Sequence, residues 1–149
     1  MTRRRDTGLG GALLVASLLT GLACGGSGGA GGPAVADAGA LAEDFVADLA
    51  AGAWNAAFSR LHPDLQAECG SAERLAAVVE AAGERPAEWE LREPTGRPSG
   101  AQVTGTVTTT GGTPGIVEMT LIPAGEEWKV RFWSASNREL CSETEEAGG

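Results

Sequence analysis

The sequence has little of several residue types on which protein chemistry commonly depends. It contains no tyrosine, one histidine and three cysteines, and its 11 basic residues are outnumbered by 20 acidic ones. A single histidine, His62, excludes a metal site built from several histidine ligands. The acidic balance excludes nucleic-acid binding through phosphate neutralisation, which needs clustered Lys and Arg, and it predicts repulsion from anionic lipid headgroups.

Two motifs of catalysis and nucleotide binding are also missing. No G-x-S-x-G occurs, which excludes the nucleophile elbow of a serine hydrolase. The glycine tract over residues 25–32 has neither a preceding strand nor a following Lys-Ser/Thr, so it does not predict a phosphate-binding loop. Its composition predicts a flexible tether instead. The sequence predicts no cofactor, no metal and no catalytic residue set.

The first 23 residues predict a secretion signal. Arg3, Arg4 and Arg5 make a positive start, an apolar stretch occupies residues 8–23, and small residues precede Cys24. The 16 residues of that stretch would reach only about 24 Å as a helix, short of the roughly 30 Å hydrocarbon core. This length disfavours an uncleaved membrane anchor.

The ending Gly21-Leu22-Ala23-Cys24 resembles the lipobox of bacterial lipoproteins, although Gly21 stands where that family prefers Leu. The resemblance implies cleavage before Cys24, lipidation of its thiol and palmitate labelling. The mature protein would then be anchored to a bacterial cell envelope membrane. Gly25 suggests the outer membrane if the host has two. The alternatives are an ordinary cut near Ala23, which leaves a free thiol, and an uncleaved anchor.

The chain divides into four predicted segments. They are a signal peptide over residues 1–23, the lipidated cysteine and tether over 24–35, a folded domain over 36–142 and an acidic, disordered tail over 143–149. Cleavage removes Arg3, Arg4, Arg5 and Asp6, so 19 acidic residues remain against 8 basic ones, a formal charge of −11. We expect so acidic a domain to stand off the membrane on its tether.

The first part of the domain predicts helices. Apolar residues at helical spacing form one stripe: Leu41, Phe45, Val46, Leu49, Trp54, Phe58 and Leu61. Gly52 interrupts the stripe, so either one helix bends there or two helices meet at a corner. His62-Pro63 ends it, and residues 64–68 add a short turn. Ser71 is expected to cap a further helix over residues 72–82 that Gly83 terminates.

After Pro86 the apolar period changes to two, which predicts strands. Four alternating segments start near Trp89, Val103, Val117 and Trp128, and turns rich in glycine and proline separate them. Hairpin spacing predicts an antiparallel sheet with one buried face. N-terminal helices packed on a curled antiparallel sheet of about four strands define an α+β fold.

One stretch of the chain resembles a known family. It resembles the small nuclear-transport-factor-two-like domains of bacterial lipoproteins. The residues that carry the resemblance are Phe45…Leu49-Ala50-Ala51-Gly52-Ala53-Trp54-Asn55-Ala56-Ala57-Phe58…Leu61-His62-Pro63, together with the final Glu127-Trp128-Lys129-Val130. The resemblance covers about 100 residues and implies a cone of helices packed into a strongly bent sheet. Some enzymes of that superfamily use a Tyr with paired carboxylates. Because this chain has no Tyr, the resemblance disfavours an isomerase or dehydratase.

Cys69 and Cys141 predict a disulfide bridge. Setting aside lipidated Cys24 leaves an even number of cysteines in an exported protein. One cysteine follows the helical region and the other follows the last strand, so a bridge would join the helices to the sheet. Free thiols are the alternative, and no local motif indicates a catalytic cysteine.

His62, Asp64 and Glu118 are the candidates for acid or base chemistry. His62 could act as a base beside Asp64, but it is expected to cap the end of the preceding helix, near its carbonyls. Glu118 could point into a pocket, but its alternation with Val117 and Met119 places it on the solvent face.

The candidates for lining a ligand pocket are Trp54, His62, Trp89 and Trp133. Trp54, Trp89 and Trp128 fall on apolar stripes and are expected mainly in the core. Trp133 alternates out of phase with Trp128 and Phe132. It is therefore either exposed beside Arg131, as a contact for a partner, or packed under a helix on the other sheet face.

These observations favour an envelope lipoprotein that serves as a non-catalytic binding or interaction module for a protein partner or a small apolar ligand. The first alternative is a small cone-fold enzyme that uses His62, Asp64 or Glu118. The second is a purely structural envelope lipoprotein without a pocket.

Overall fold

The computed structural model describes residues 32–135 and 138–141; its N-terminal part is helical, and a sheet follows. This order of elements confirms the predicted α+β class. The predicted signal peptide, Cys24, most of the tether and the acidic tail from residue 143 lie outside the described residues. The helices are α1 (Val35–Ala51), α2 (Trp54–Ser59), α3 (Pro63–Cys69) and α4 (Ala72–Ala81).

Helix α1 forms because small and apolar residues recur on one face of an alanine-rich segment. Its buried residues are Ala38, Ala42, Phe45, Val46 and Leu49. Gly52 follows the helix with a φ of 69°, a left-handed conformation that glycine adopts without steric cost, and its N–H donates to the Leu49 carbonyl. Of the two alternatives at Gly52, the structure has two helices that meet at a corner.

Ser71 caps α4 as predicted. Its hydroxyl oxygen accepts a hydrogen bond from the backbone N–H of Arg74 at 3.2 Å. The carboxylate of Glu73 accepts from its own backbone N–H and from the Ser71 hydroxyl, and both bonds lower the pKa of Glu73 below its usual value. Gly83, with a φ of 65°, follows the helix end, as its position in the sequence predicts.

The prediction that His62 caps the end of the preceding helix is wrong. His62 instead precedes α3, where its Nδ1 accepts a hydrogen bond from the backbone N–H of Asp64 at 3.3 Å. Pro63 explains the difference, because proline suits the first position of a helix, where no N–H is needed for the helical pattern. The residue therefore opens one helix and does not close another.

In the described part of the chain, six strands form one antiparallel sheet. They are β1 (Pro86–Leu91), β2 (Thr95–Arg97), β3 (Gly100–Thr109), β4 (Pro114–Ala124), β5 (Glu127–Ala135) and β6 (Arg138–Glu139). The order across the sheet is β1-β3-β4-β5-β6, and β2 also pairs with β3. The four predicted strands correspond to β1, β3, β4 and β5. The other two contain only three and two residues, too few for an alternating pattern.

Helix α1 packs on the sheet and contacts β1, β3 and β5. Two glycines of β3 lie very close to the neighbouring strands. A Cβ atom on Gly105 would lie 2.2 Å from the carbonyl oxygen of Glu90, and one on Gly100 would lie 2.3 Å from that of Leu121. A side chain at either position would push β1 or β4 away, so this packing requires glycine.

The core lies between the helices and the inner face of the sheet. The inner positions predicted for β3 and β4 are all buried: Val103, Gly105, Val107, Val117, Met119 and Leu121. Leu49, Leu61 and Leu75 close the core from the helical side. The segment between α2 and α3 also bonds to β5, since the His62 N–H donates to the Val130 carbonyl at 2.7 Å.

A β-bulge in β5 changes the predicted alternation. Thr120 of β4 pairs with Phe132 and the next residue of β4 pairs with Val130, so Arg131 has no partner in β4. The extra residue reverses the phase of the strand beyond it. Val130 and Trp133 are therefore both buried, while Phe132, which strict alternation places inside, is half-buried opposite Thr120.

Candidate functional site

The four residues predicted to line a ligand pocket lie on separate elements. Trp54 begins α2, His62 precedes α3, Trp89 lies on β1 and Trp133 lies on β5. Trp54 and Trp89 pack against the core cluster that contains Trp133, and each of the four has its own polar or ring contacts.

Trp133 is a core residue. Its surface is 4 % exposed, and its ring meets that of Phe45 edge to face, with 5.5 Å between the centroids. The alternative in which Trp133 is exposed beside Arg131 is therefore wrong. The other alternative is right about the helix, because Phe45 belongs to α1, and wrong about the sheet face. The bulge places Trp133 on the same inner face as buried Trp128 and Val130.

The other three tryptophans are attached to specific neighbours. Trp89 is half-buried, and its Nε1 donates to Oε2 of Glu43 on α1 at 2.9 Å. Trp54 is half-buried beside Gly52. Trp128 is buried, and its Nε1 donates to the carbonyl oxygen of Ala34 at 2.9 Å. This last bond holds the start of α1 against β5, a contact that the sequence does not indicate.

Four polar residues cluster where α3 meets β5. Nδ1 of His62 lies 3.4 Å from Oδ2 of Asp64, and Nε of Arg131 lies 3.6 Å from the same oxygen. Nη1 of Arg131 lies 3.6 Å from Oε1 of Glu68. The side chains of Asp64 and Glu68 are more than half exposed, so solvent screens these contacts and each contributes little stability. Sequence reasoning missed Arg131 here, because it joins the cluster through the bulge.

Glu118 does not join this cluster. It is exposed on the sheet face opposite the helices, between buried Val117 and Met119, and it pairs across the sheet with Thr104 and Ser134. The prediction that Glu118 faces solvent is confirmed. Of the residues named for acid or base chemistry, the structure brings together His62 and Asp64 alone.

A surface cleft of about 400 Å³ lies where the predicted tether enters the domain. Its lining includes Asp37, Glu126 and Trp128, and none of the four pocket candidates. The basic side chains in the cleft already have partners. Arg60 Nε lies 2.6 Å from Asp48 Oδ2, and Lys129 Nζ donates to the carbonyl of Ser59 at 3.1 Å. Among the described residues that line it, the cleft therefore presents no unpaired cation to an anionic ligand.

Within the described residues, no three or more His, Cys, Asp and Glu side chains are grouped as ligands for a metal ion. Over the same residues, no helix combines the length and the apolar content that crossing a membrane requires.

Cys69 and Cys141 lie together, with a Cα–Cα distance of 5.0 Å, and their sulfur atoms are bonded. Cys69 is the last residue of α3, and Cys141 follows β6. The bridge thus joins the helical part to the end of the sheet, as the sequence predicts.

Comparison with known proteins finds no matching family model, no matching curated protein and no matching solved structure. The resemblance to nuclear-transport-factor-two-like domains therefore stays a prediction that rests on the residues quoted for it.

Proposed function

We propose that the protein is an exported, lipid-anchored and non-catalytic interaction module of the bacterial cell envelope, whose protein partner binds the outside of the domain. The observation that carries this proposal is the filled interior between the helices and the sheet. Trp133 and Phe45 pack there in one cluster with fully buried Met119 and Leu121. A small apolar ligand needs an enclosed, mostly apolar pocket of roughly 300–1,000 Å³. These side chains fill the interior, and the cleft of about 400 Å³ lies on the surface, where its lining includes the charged residues Asp37 and Glu126.

The junction between tether and domain supports an anchored orientation. Trp128 holds Ala34 to β5, so a tether leading from Cys24 would join the domain beside the turn between β4 and β5. Glu126 in that turn and Glu127 at the start of β5 are exposed. Their charge opposes contact with anionic headgroups and favours a domain that stands away from the membrane, with its surface open to a partner.

The enzyme alternative keeps one supporting observation, the contact between His62 and Asp64. Glu118 does not support it, because Glu118 lies on the sheet face opposite the helices, away from His62 and Asp64. A lipoprotein with a purely structural role differs from an interaction module only in having no specific partner, so a search for that partner distinguishes them.

Metabolic labelling with radioactive palmitate tests the anchor. We expect the full chain, expressed in a bacterial host, to incorporate label, and we expect Cys24→Ala to incorporate none. Ser27→Ala is the matched control, because it alters a small residue of the same tether without removing the thiol, and it should label like the wild type. Equal labelling of Cys24→Ala and the wild type would overturn the lipid anchor.

Photo-crosslinking in the native bacterium tests the interaction. A photoreactive amino acid is placed one position at a time at exposed residues of the helices, of the outer sheet face and of β1. We expect one contiguous group of positions to yield the same adduct. If no position yields a specific adduct while palmitate labelling succeeds, the structural alternative is correct.

A further inference from the structure

We propose that the outer edge of β1 is a docking site for an extended, basic segment of a partner protein, which adds to the sheet as an antiparallel strand. This inference rests on the proposed interaction function and names the surface and the chemistry that serve it.

The backbone of β1 has hydrogen-bonding groups directed away from the sheet. The Arg92 N–H donates to the Thr104 carbonyl at 2.8 Å, which makes these two a hydrogen-bonded pair. In an antiparallel ladder such pairs alternate, so Glu90 and Glu88 bond to β3 while Trp89 and Leu91 direct their N–H and C=O groups outward. The sheet order ends at β1, and over the described residues no other element bonds to these outward groups.

On the opposite side of the sheet, the outer backbone groups of β5 already have partners. The Val130 N–H donates to the Arg60 carbonyl at 2.9 Å, and the His62 N–H donates back to the Val130 carbonyl. Farther along β5, the Leu140 N–H donates to the Trp133 carbonyl and β6 pairs with the strand. An added strand would have to displace these bonds at β5, whereas at β1 it would form new ones.

Side chains along β1 define the chemistry of the added strand. Glu88 and Glu90 are exposed on the outer face, while Trp89 and Leu91 are half-buried on the helix side. Glu43 holds the Trp89 ring in place. An antiparallel partner would set its side chains directly opposite these residues, so it should alternate Lys or Arg, facing the two glutamates, with apolar residues that extend the row of Trp89 and Leu91.

The net negative charge of the chain indicates which kind of partner binds at the edge of β1. A second copy carries the same formal charge of −9 and meets long-range repulsion on approach. A basic segment is attracted by the same field and pairs with Glu88 and Glu90 once bound. Arg85 lies just before the start of β1 and Arg92 just beyond its end, so the strand itself contains no base. The preferred occupant is therefore a basic strand and not a second copy of this chain.

The test uses the oxidised full chain in non-ionic detergent and a fluorescent nine-residue peptide that alternates Lys and Val. We expect binding by fluorescence anisotropy at low salt, and slower hydrogen exchange in the segment over residues 86–92. The double variant Glu88→Lys/Glu90→Lys should weaken binding about ten-fold or more. Glu118→Lys/Glu126→Lys changes the net charge equally at exposed sites outside β1 and should weaken it clearly less.

Backbone methylation of the peptide tests strand addition itself. In antiparallel pairing the Val residues lie opposite Trp89 and Leu91, so their N–H groups are the ones that bond to β1. N-methylation of the Val residues should abolish binding, whereas N-methylation of the Lys residues should leave it nearly unchanged. Equal binding by the two methylated peptides would show that charge alone holds the peptide and would overturn the proposal.

Two further outcomes separate this inference from the proposed function. If sedimentation detects a dimer that the Glu88→Lys/Glu90→Lys variant disrupts, the edge binds a second copy and the basic partner is wrong. If photo-crosslinking finds a partner at positions away from β1 and the peptide does not bind, the interaction module stands and the assignment to β1 fails.

Discussion

At the scale of single residues, Trp133 carries the clearest energetic prediction. Its ring is buried and meets Phe45 of α1, so it joins the sheet to the helices. Trp133→Ala leaves a cavity that the surrounding side chains fill incompletely. We expect the free energy of unfolding to fall by about 3–5 kcal/mol, measured by denaturant titration under non-reducing conditions with circular dichroism.

Ile116→Ala is the control for that measurement, because Ile116 is 67 % exposed on β4. Its truncation should change the free energy of unfolding by no more than about 0.5 kcal/mol. Should Trp133→Ala prove as harmless as Ile116→Ala, the placement of Trp133 in the core would be refuted.

At the scale of elements, the contact between β1 and β3 depends on Gly105. A Cβ atom there would come within 2.2 Å of the Glu90 carbonyl oxygen and 3.0 Å of the Leu91 Cα atom. Both obstacles are backbone atoms and cannot rotate away. We expect Gly105→Ala to lower the free energy of unfolding by about 1–3 kcal/mol and to speed hydrogen exchange first in β1.

Gly32→Ala is the matched control, because it makes the same chemical change where nothing lies within 4 Å of the added atom. It should leave stability and exchange unchanged. An equal response to the two substitutions would mean that the close approach at Gly105 does not exist in solution.

At the scale of the whole molecule, the bridge between Cys69 and Cys141 encloses most of the domain, with a sequence separation of 72. The chain-entropy treatment gives an upper limit of about 4 kcal/mol for closing a loop of that length. We expect Cys69→Ser/Cys141→Ser to lower the free energy of unfolding by up to this amount. The variant should unfold at lower denaturant concentration than the oxidised wild type.

Mass spectrometry checks the bridge directly. The intact non-reduced protein should be about two mass units lighter than the same protein after reduction, because a disulfide lacks two hydrogens. Reduction of the wild type should also bring its stability to that of the double serine variant. An unchanged mass on reduction would show that the two thiols are free.

The amino-acid sequence by itself determined those helices and strands that bury one face, because a buried face requires apolar residues at a regular spacing. One buried face requires a repeat near 3.6 residues in a helix and of two residues in a strand, and both repeats are visible in the chain. The cap at Ser71, the break at Gly52 and the inner rows of β3 and β4 follow from such local rules. The α+β class follows from their order. The predicted signal peptide and lipid anchor belong to residues that the structure does not describe, so they remain predictions from the sequence.

Tertiary structure alone decided which distant residues meet. The bulge at Arg131 adds one residue to β5. Because side chains alternate between the two sheet faces, one extra residue moves every following side chain to the other face. That reversal buried Trp133 and brought Arg131 toward Asp64 and Glu68. The individual contacts of Trp54, His62 and Trp89 have the same origin, because contacts between distant segments depend on strand register and helix position. Local periodicity does not encode either of them.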